Sequence, residues 1–192
     1  MDRNRGIILN ALGLSHQYVR KVVQPGDRVV DATAGNGGDT ILLAGLAGAA
    51  GHVDAFDIQP AALESTRKRL EAAGAADRCT LHLASHDQMA ALVAPGIRAI
   101  MFNLGYLPGG DHSIGTKPVS TLAALDQAMQ LLLPGGIITL GIYYGGDSGF
   151  AERDAVLAFL RTINVHDFAV QKIEMINAVN CAPIFVCIEN LR

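Results

Sequence analysis

At 192 residues, half of them hydrophobic, the chain has the length of one domain and enough apolar material for a sizeable core. Charged residues make up only 17% and the net charge is −3, which argues against a strongly basic nucleic-acid arm while leaving room for a local basic face. Trp is absent and aromatics are 5%, which argues against an extended base-stacking platform.

The three cysteines, Cys79, Cys181 and Cys187, fall outside CxxC and Cys/His ligand spacings. Cys79 and Cys187 sit in apolar runs, which fits buried thiols in a reducing cytoplasm better than disulfides or a metal centre. Met1-Asp2-Arg3-Asn4-Arg5 and the short apolar stretch after it do not make a signal peptide, and no run reaches membrane-spanning length. The expectation is one cytoplasmic domain over 1–192, with no membrane and no metal.

Residues 6–23 carry apolar groups at helical spacing (Ile8, Leu12, Val19, Val22, Val23), with Ser15 as a candidate cap for a second helix over 18–23. Residues 1–24 thus read as a helical lead-in. After the Pro25-Gly26-Asp27 turn, 28–32 is a Val-rich strand, followed by a glycine turn and a helix over 39–46. Residues 52–58 form a second strand. Pro60 opens a helix to about 73 whose charged residues, Glu64, Arg67, Lys68, Arg69 and Glu71, read as a solvated face.

A third strand spans 79–84, and a short helix follows over 85–92. The nearly all-apolar 97–102 reads as a strand buried on both faces of a parallel sheet. The Gly- and Pro-rich stretch from Asn103 onward is a loop, ending where Pro118 begins a helix to about 132. Pro134-Gly135-Gly136 turns the chain into a strand over 137–143. A helix over 152–162 and a closing strand pair, 168–176 and 184–189, complete it. Alternation of this kind implies a doubly wound parallel sheet with helices on both faces, and the closing hairpin places one antiparallel strand at an edge.

In such a sheet ligands bind beyond the carboxyl ends of the strands, where strand order reverses. The residues that end the strands are therefore the candidates: Asp31 to Asp39, Asp57 with Gln59, Ser85 with His86, Asn103 to Tyr106, and 143–147. The turn Gly35-Asn36-Gly37-Gly38 is not GxGxxG, and without Gly-Lys-Ser/Thr it is not a P-loop. It carries Asp31, Asn36, Asp39 and Thr40 and no Lys. Acids there suit a ligand with an ammonium or sulfonium charge better than a pyrophosphate, which shifts the reading from a dinucleotide to S-adenosylmethionine. Asp57, ending the second strand, can accept hydrogen bonds from both ribose hydroxyls.

Asn103-Leu104-Gly105-Tyr106 resembles the Asn-Pro-Pro-Tyr tetrad of methyltransferases acting on exocyclic or amide nitrogens. In that tetrad the Asn side chain and a backbone carbonyl accept hydrogen bonds from the target amine, and the aromatic ring packs on the target. Leu104 and Gly105 replace both prolines, which predicts a looser loop. Asp111 and His112 follow in the same loop, as a possible base or substrate contact. His86 stands where class I methyltransferases bind adenine. His16 reaches the site only if the N-terminal segment folds over it, and Lys117 is a thin signal for phosphate.

Together, Asp31-Ala-Thr-Ala-Gly-Asn-Gly-Gly-Asp-Thr40, Phe56-Asp-Ile-Gln59, Ser85-His86 and Phe102 through Ser113 resemble the small bacterial family labelled rRNA methylases, over about 15–189. The resemblance implies a Rossmann-like α/β fold of class I: a mostly parallel seven-stranded sheet with an antiparallel edge hairpin. It implies a tRNA methyltransferase that uses S-adenosylmethionine on the amine of 5-aminomethyl-(2-thio)uridine at the wobble position, with the anticodon loop as its partner. The family's label implies ribosomal RNA instead. A small-molecule or protein amine methyltransferase, and a non-catalytic S-adenosylmethionine-binding module, are the alternatives. Arg3, Arg5, Arg20, Lys21 and Arg28 are candidates for a basic patch, and a homodimer is left open.

Overall fold

The computed structural model of the chain describes residues 8–106, 115–145 and 149–192. In chain order the elements are α1 (Ala11–Val22), β1 (Arg28–Asp31), α2 (Gly38–Ala47), β2 (His52–Asp57), α3 (Pro60–Ala72), β3 (Cys79–Leu83), α4 (Met89–Leu92), β4 (Ile97–Leu104), α5 (Pro118–Leu131), β5 (Leu132–Ile142), α6 (Gly149–Leu160), β6 (Phe168–Ile173) and β7 (Ile184–Asn190). The strands form one seven-stranded sheet of order β3-β2-β1-β4-β5-β7-β6. β1 to β5 run parallel, and β7 runs antiparallel to both of its neighbours. The chain moves outward from β1 to β3 and then returns to lay β4 beside β1. Strand order therefore reverses between β1 and β4, and a crevice opens beyond their carboxyl ends.

Alternation along the strands sends side chains into two cores. Val29, Val53, Ala99, Met101 and Phe185 pack with Val19, Leu43 and Leu70, so α1, α2 and α3 cover one face. Val30, Phe56, Ile100, Phe102 and Ile138 pack with Met89, Leu125 and Val156, so α4, α5 and α6 cover the other. Strands covered on both sides are apolar along their covered stretch: β4 is so almost throughout, whereas β1 and β2 carry polar residues at their ends and, in β2, a buried Asp54 paired with His82. The Cys79 thiol is pushed up to about 11 and that of Cys187 to about 12, both mainly by burial. Both therefore stay protonated and unreactive at neutral pH. None of the helices among the described residues is long and apolar enough to cross a membrane.

Several local expectations change. The lead-in is one helix, capped by Asn10, whose side chain accepts the Gly13 N–H at 2.8 Å. Ser15 is no cap: it lies within α1, buried, with its hydroxyl unpartnered among the described residues. Asn10 caps the helix because it precedes the whole buried stripe Ala11, Ser15, Val19. β4 runs on through Asn103 and Leu104, which pair with Gly141 and Ile142 of β5. Pro134-Gly135-Gly136 lies inside β5, at an irregularity where the register shifts between Ile97 and Ala99. A proline is tolerated there because no ladder bond is demanded of it. The terminal hairpin sits at the sheet edge as expected, with β6 outermost and β7 as the antiparallel strand inside it.

Candidate active site

The turn after β1 depends on conformations that glycine enters without strain. Gly35 has φ +51° and Gly37, which precedes α2, has φ +78°. A Cβ at Gly37 would also stand 2.9 Å from the Thr66 Cα, so α3 packs directly on bare backbone. Thr66 Oγ1 donates to the Gly35 carbonyl at 3.1 Å. Asp57, ending β2, accepts the Gly35 N–H through one carboxylate oxygen and the Gln59 N–H through the other, both at 2.9 Å. Each oxygen keeps lone pairs for a further donor.

Asp31 is fully buried at the end of β1. Its carboxylate accepts from Thr40 Oγ1 at 2.6 Å and from the Thr33 N–H at 3.2 Å. Burial, reinforced by the charge of Asp39, raises its pKa to about 7. Asp39, buried in the first turn of α2, joins three elements. Its Oδ1 lies 2.6 Å from His16 Nε2 of α1, and its Oδ2 accepts from Asn103 Nδ2 of β4 at 2.7 Å. The N-terminal helix does fold over the site, and it carries His16 into it.

Two spaces open here, of about 700 Å³ and 710 Å³ with their mouths included. Asp57, Ile58, Gln59, Ser85 and His86 belong to the first, and Leu12, Asn36, Asp39 and Tyr143 to the second. Thr33, Gly35, Asn103, Gly105 and Tyr106 line both, so the end of β4 stands between them. His86 is buried, its ring edge-on to Phe102 at 5.7 Å, and its Nε2 has no partner among the described residues. Burial holds its pKa below the ordinary value, so it is a neutral imidazole with one nitrogen left for a ligand. A neutral polar edge, a half-exposed Ile58 and the Asp57 carboxylate in one cleft fit an adenosine, and the acids behind Gly35 fit an adjacent cation.

At its described ends the loop after β4 is tied down without prolines. Leu104 is a buried strand residue, and Gly105 has φ +144°, which proline cannot adopt. The Gly105 N–H donates to Thr116 Oγ1 at 2.8 Å, and its carbonyl accepts the Thr116 N–H at 2.9 Å. Thr116 Oγ1 in turn donates to Glu152 Oε2, and Thr121 Oγ1 to Glu152 Oε1, both at 2.6 Å. Glu152, buried on α6, thus anchors this loop to two helices. Tyr106 follows, 44% exposed, bridged to Gly115.

The structure gathers Asp31, Gly35, Gly37, Asp39, Thr40, Asp57, Gln59, Ser85, His86, Asn103 and Tyr106 around the crevice, and Asn36 lies exposed at its mouth. Asp111 and His112 lie outside the described residues, as do Arg3 and Arg5. The described members of the basic patch lie away from the site. Arg28 starts β1, at the far end of the strand, and is engaged by Asp54 and the carbonyls of Ala94 and Pro95. Arg20 and Lys21 fall in the last turn of α1, beyond His16 and away from the crevice. Lys117 is exposed beside Thr116. Thr33, whose Oγ1 accepts the Asn103 N–H at 2.8 Å, and Thr116 with Glu152 are positioning groups that sequence reasoning missed. Thr33 lay within the motif and was recoverable; Glu152 read as an ordinary helix residue. No group of three or more His, Cys, Asp or Glu among the described residues is arranged to hold a metal ion.

Residues 53–189 match the family model described as "Putative rRNA methylase". The chain is 39% identical over 186 residues to the tRNA (mnm(5)s(2)U34)-methyltransferase, chloroplastic, of Arabidopsis thaliana, covering 92% of this chain and 68% of that protein. A structure described as a "putative rRNA-methylase" from Clostridium thermocellum superposes with a TM-score of 0.94 at 51% identity, covering 95% of this chain and 98% of that one. A "putative methyltransferase" from Streptococcus mutans, solved in complex with SAH, superposes with a TM-score of 0.88 at 37% identity, covering 96% and 99%.

Proposed function

The chain belongs to the rRNA-methylase family and is an S-adenosylmethionine-dependent methyltransferase of class I fold, and from that premise we propose that it methylates an amine on transfer RNA. The acceptor is the amine of 5-aminomethyl-(2-thio)uridine at the wobble position, and the product the 5-methylaminomethyl nucleoside. The observation that carries this reading is the state of Asn103. Its Nδ2 is committed to the acceptor-only carboxylate of Asp39, so its Oδ1 is the end left to accept from an amine. The plant relative's name, a tRNA (mnm(5)s(2)U34)-methyltransferase, supports the polymer and the position.

S-adenosylmethionine, when bound, supplies a methyl group on a sulfonium. The chain's part is alignment and the handling of one proton. Asp57 would hold the ribose hydroxyls, Ser85 and His86 the adenine edge, and Gly35 and Gly37 allow close backbone approach. Asp31, Asn36, Asp39 and Thr40 complete the cofactor's surroundings. Asn103 Oδ1 accepts from the amine; the Leu104 carbonyl already accepts the Tyr143 N–H at 3.0 Å and contributes less. The Tyr106 ring packs on the target base. An alkyl amine is protonated at neutral pH, and Asp111 and His112 are the candidates for accepting that proton. A wobble base is unpaired in free tRNA, so no duplex has to be opened.

Transfer of labelled methyl groups to total tRNA and to ribosomal RNA, assayed in parallel, tests the polymer. Label in tRNA alone is expected. Label in ribosomal RNA with none in tRNA would assign the family's older description instead.

A further inference from the structure

We propose that His16 is a positioning residue of methyl transfer: it holds Asp39, and Asp39 holds the Asn103 amide so that its carbonyl oxygen remains the acceptor. The inference rests on the reading that Asn103 aligns the acceptor amine, and it extends the working site into the N-terminal helix.

Asp39 is in an unfavourable place for a carboxylate. It is buried, and it shares the turn with Asp31, whose pKa its charge helps to raise. A like-charged neighbour drives such a side chain outward unless something opposes it. Two groups do, and each uses a different oxygen: His16 Nε2 at 2.6 Å and Asn103 Nδ2 at 2.7 Å. Removing His16 leaves Asp39 with a single anchor, which is the residue it is meant to fix.

The backbone of Asn103 is secured separately. Its N–H donates to Thr33 Oγ1, and it pairs with Gly141 in the β4–β5 ladder. Loss of His16 therefore frees the side chain without moving the strand. Among the described residues the amide's one side-chain hydrogen bond is to Asp39, and a Cβ at Gly141 would stand 3.1 Å from both Asn103 Oδ1 and Tyr143 Cε2, so that side is kept clear by a glycine. Helix packing does not explain His16. The stripe that buries α1 is Ala11, Ser15 and Val19, and His16 lies one residue off it, its side chain 31% exposed, turned toward α2.

The test compares the full chain with His16→Ala and His16→Gln. The side-chain NH2 signals of Asn103 are identified by their loss in Asn103→Ala and followed by 15N NMR without substrate. In the wild type and in His16→Gln, which restores a donor of similar reach, they report a hydrogen-bonded amide; in His16→Ala they collapse to solvent-like values. With RNA substrate, kcat of His16→Ala falls about 10- to 100-fold, the scale on which misalignment is costly. KM for RNA and Kd for S-adenosylhomocysteine stay within about threefold, and His16→Gln recovers most of the lost kcat. Unchanged Asn103 signals in His16→Ala, or a His16→Gln variant as slow as His16→Ala, overturn the proposal. Should His16→Ala melt too low to study, His16→Leu fills the space without a donor and takes its place. If the wild type methylates no RNA, the substrate reading fails by itself, and the substrate-free NMR comparison still decides the role of His16.

Discussion

Asp31 sits at the heart of the turn with a pKa near 7, raised first by burial and second by Asp39. Because this lies above the ordinary 3.8, Asp31 binds more proton in the folded chain than in the unfolded one between about pH 4 and 7. Asp31 therefore contributes stability to the ligand-free protein that is lost as pH rises through that window, against an opposite contribution from the lowered His86, and the difference between wild type and Asp31→Asn in urea titrations at a series of pH values isolates it. A bound cation favours the ionised carboxylate, so affinity for S-adenosylmethionine rises between about pH 6 and 8 and binding releases protons. S-adenosylhomocysteine, which lacks the sulfonium charge, releases fewer. Calorimetry in buffers of different ionisation enthalpy reads this directly, and equal, pH-independent binding of the two would remove Asp31 from the cation's surroundings. Asp57 and Asn103 divide the remaining work. Asp57→Ala lowers cofactor affinity by about 100-fold or more, since it removes a charged acceptor and the pin of Gly35. Asn103→Ala keeps that affinity and loses turnover by about 100-fold. Equal loss of binding in both contradicts the division.

At the scale of elements, the described ends of the loop after β4 are held from a distance. Glu152 is buried on α6 and accepts hydroxyls from Thr116 and Thr121, and through Thr116 it fixes Gly105. Glu152→Ala removes the acceptor of the buried Thr121 hydroxyl and of the part-buried Thr116 hydroxyl, which costs about 2–3 kcal/mol in urea unfolding. It also lowers kcat while cofactor affinity stays near wild type; a variant that loses binding and turnover together would place Glu152 in the cofactor cleft instead. None of this was legible in the sequence, because Glu152 is 36 residues from Thr116 and looks like any polar helix position. What was legible is local. Periodicity and punctuation gave the strands and most helices, and polar strand ends gave the crevice. Ser15, expected to cap a second helix, instead lies buried within α1, because that segment packs against the sheet as one continuous helix. The extra length of β4 likewise follows from pairing with β5, a partner no window around Asn103 contains.

For the molecule as a whole, alternation of strand and helix was enough to place the site, because a doubly wound sheet has one crevice where its order reverses. Charge was less informative. The net charge is −3, and the described basic residues of the expected patch lie away from the crevice. On the proposed reading, an RNA substrate therefore meets few phosphate-binding groups among the described residues of the expected patch. The dependence of RNA affinity on salt should be shallow, with a log–log slope no steeper than about −3, as expected for a few phosphate contacts. A slope of about −6 or steeper would mean that a basic surface dominates after all. The central claim is the identity of the acceptor. Its most direct test is mass spectrometry of nucleosides from tRNA that carries 5-aminomethyl-2-thiouridine at the wobble position, incubated with the protein and S-adenosylmethionine. Conversion of that nucleoside to its 5-methylaminomethyl form, with no other change, is expected; an unchanged wobble nucleoside, or a methyl group found elsewhere in the tRNA, would contradict the assignment.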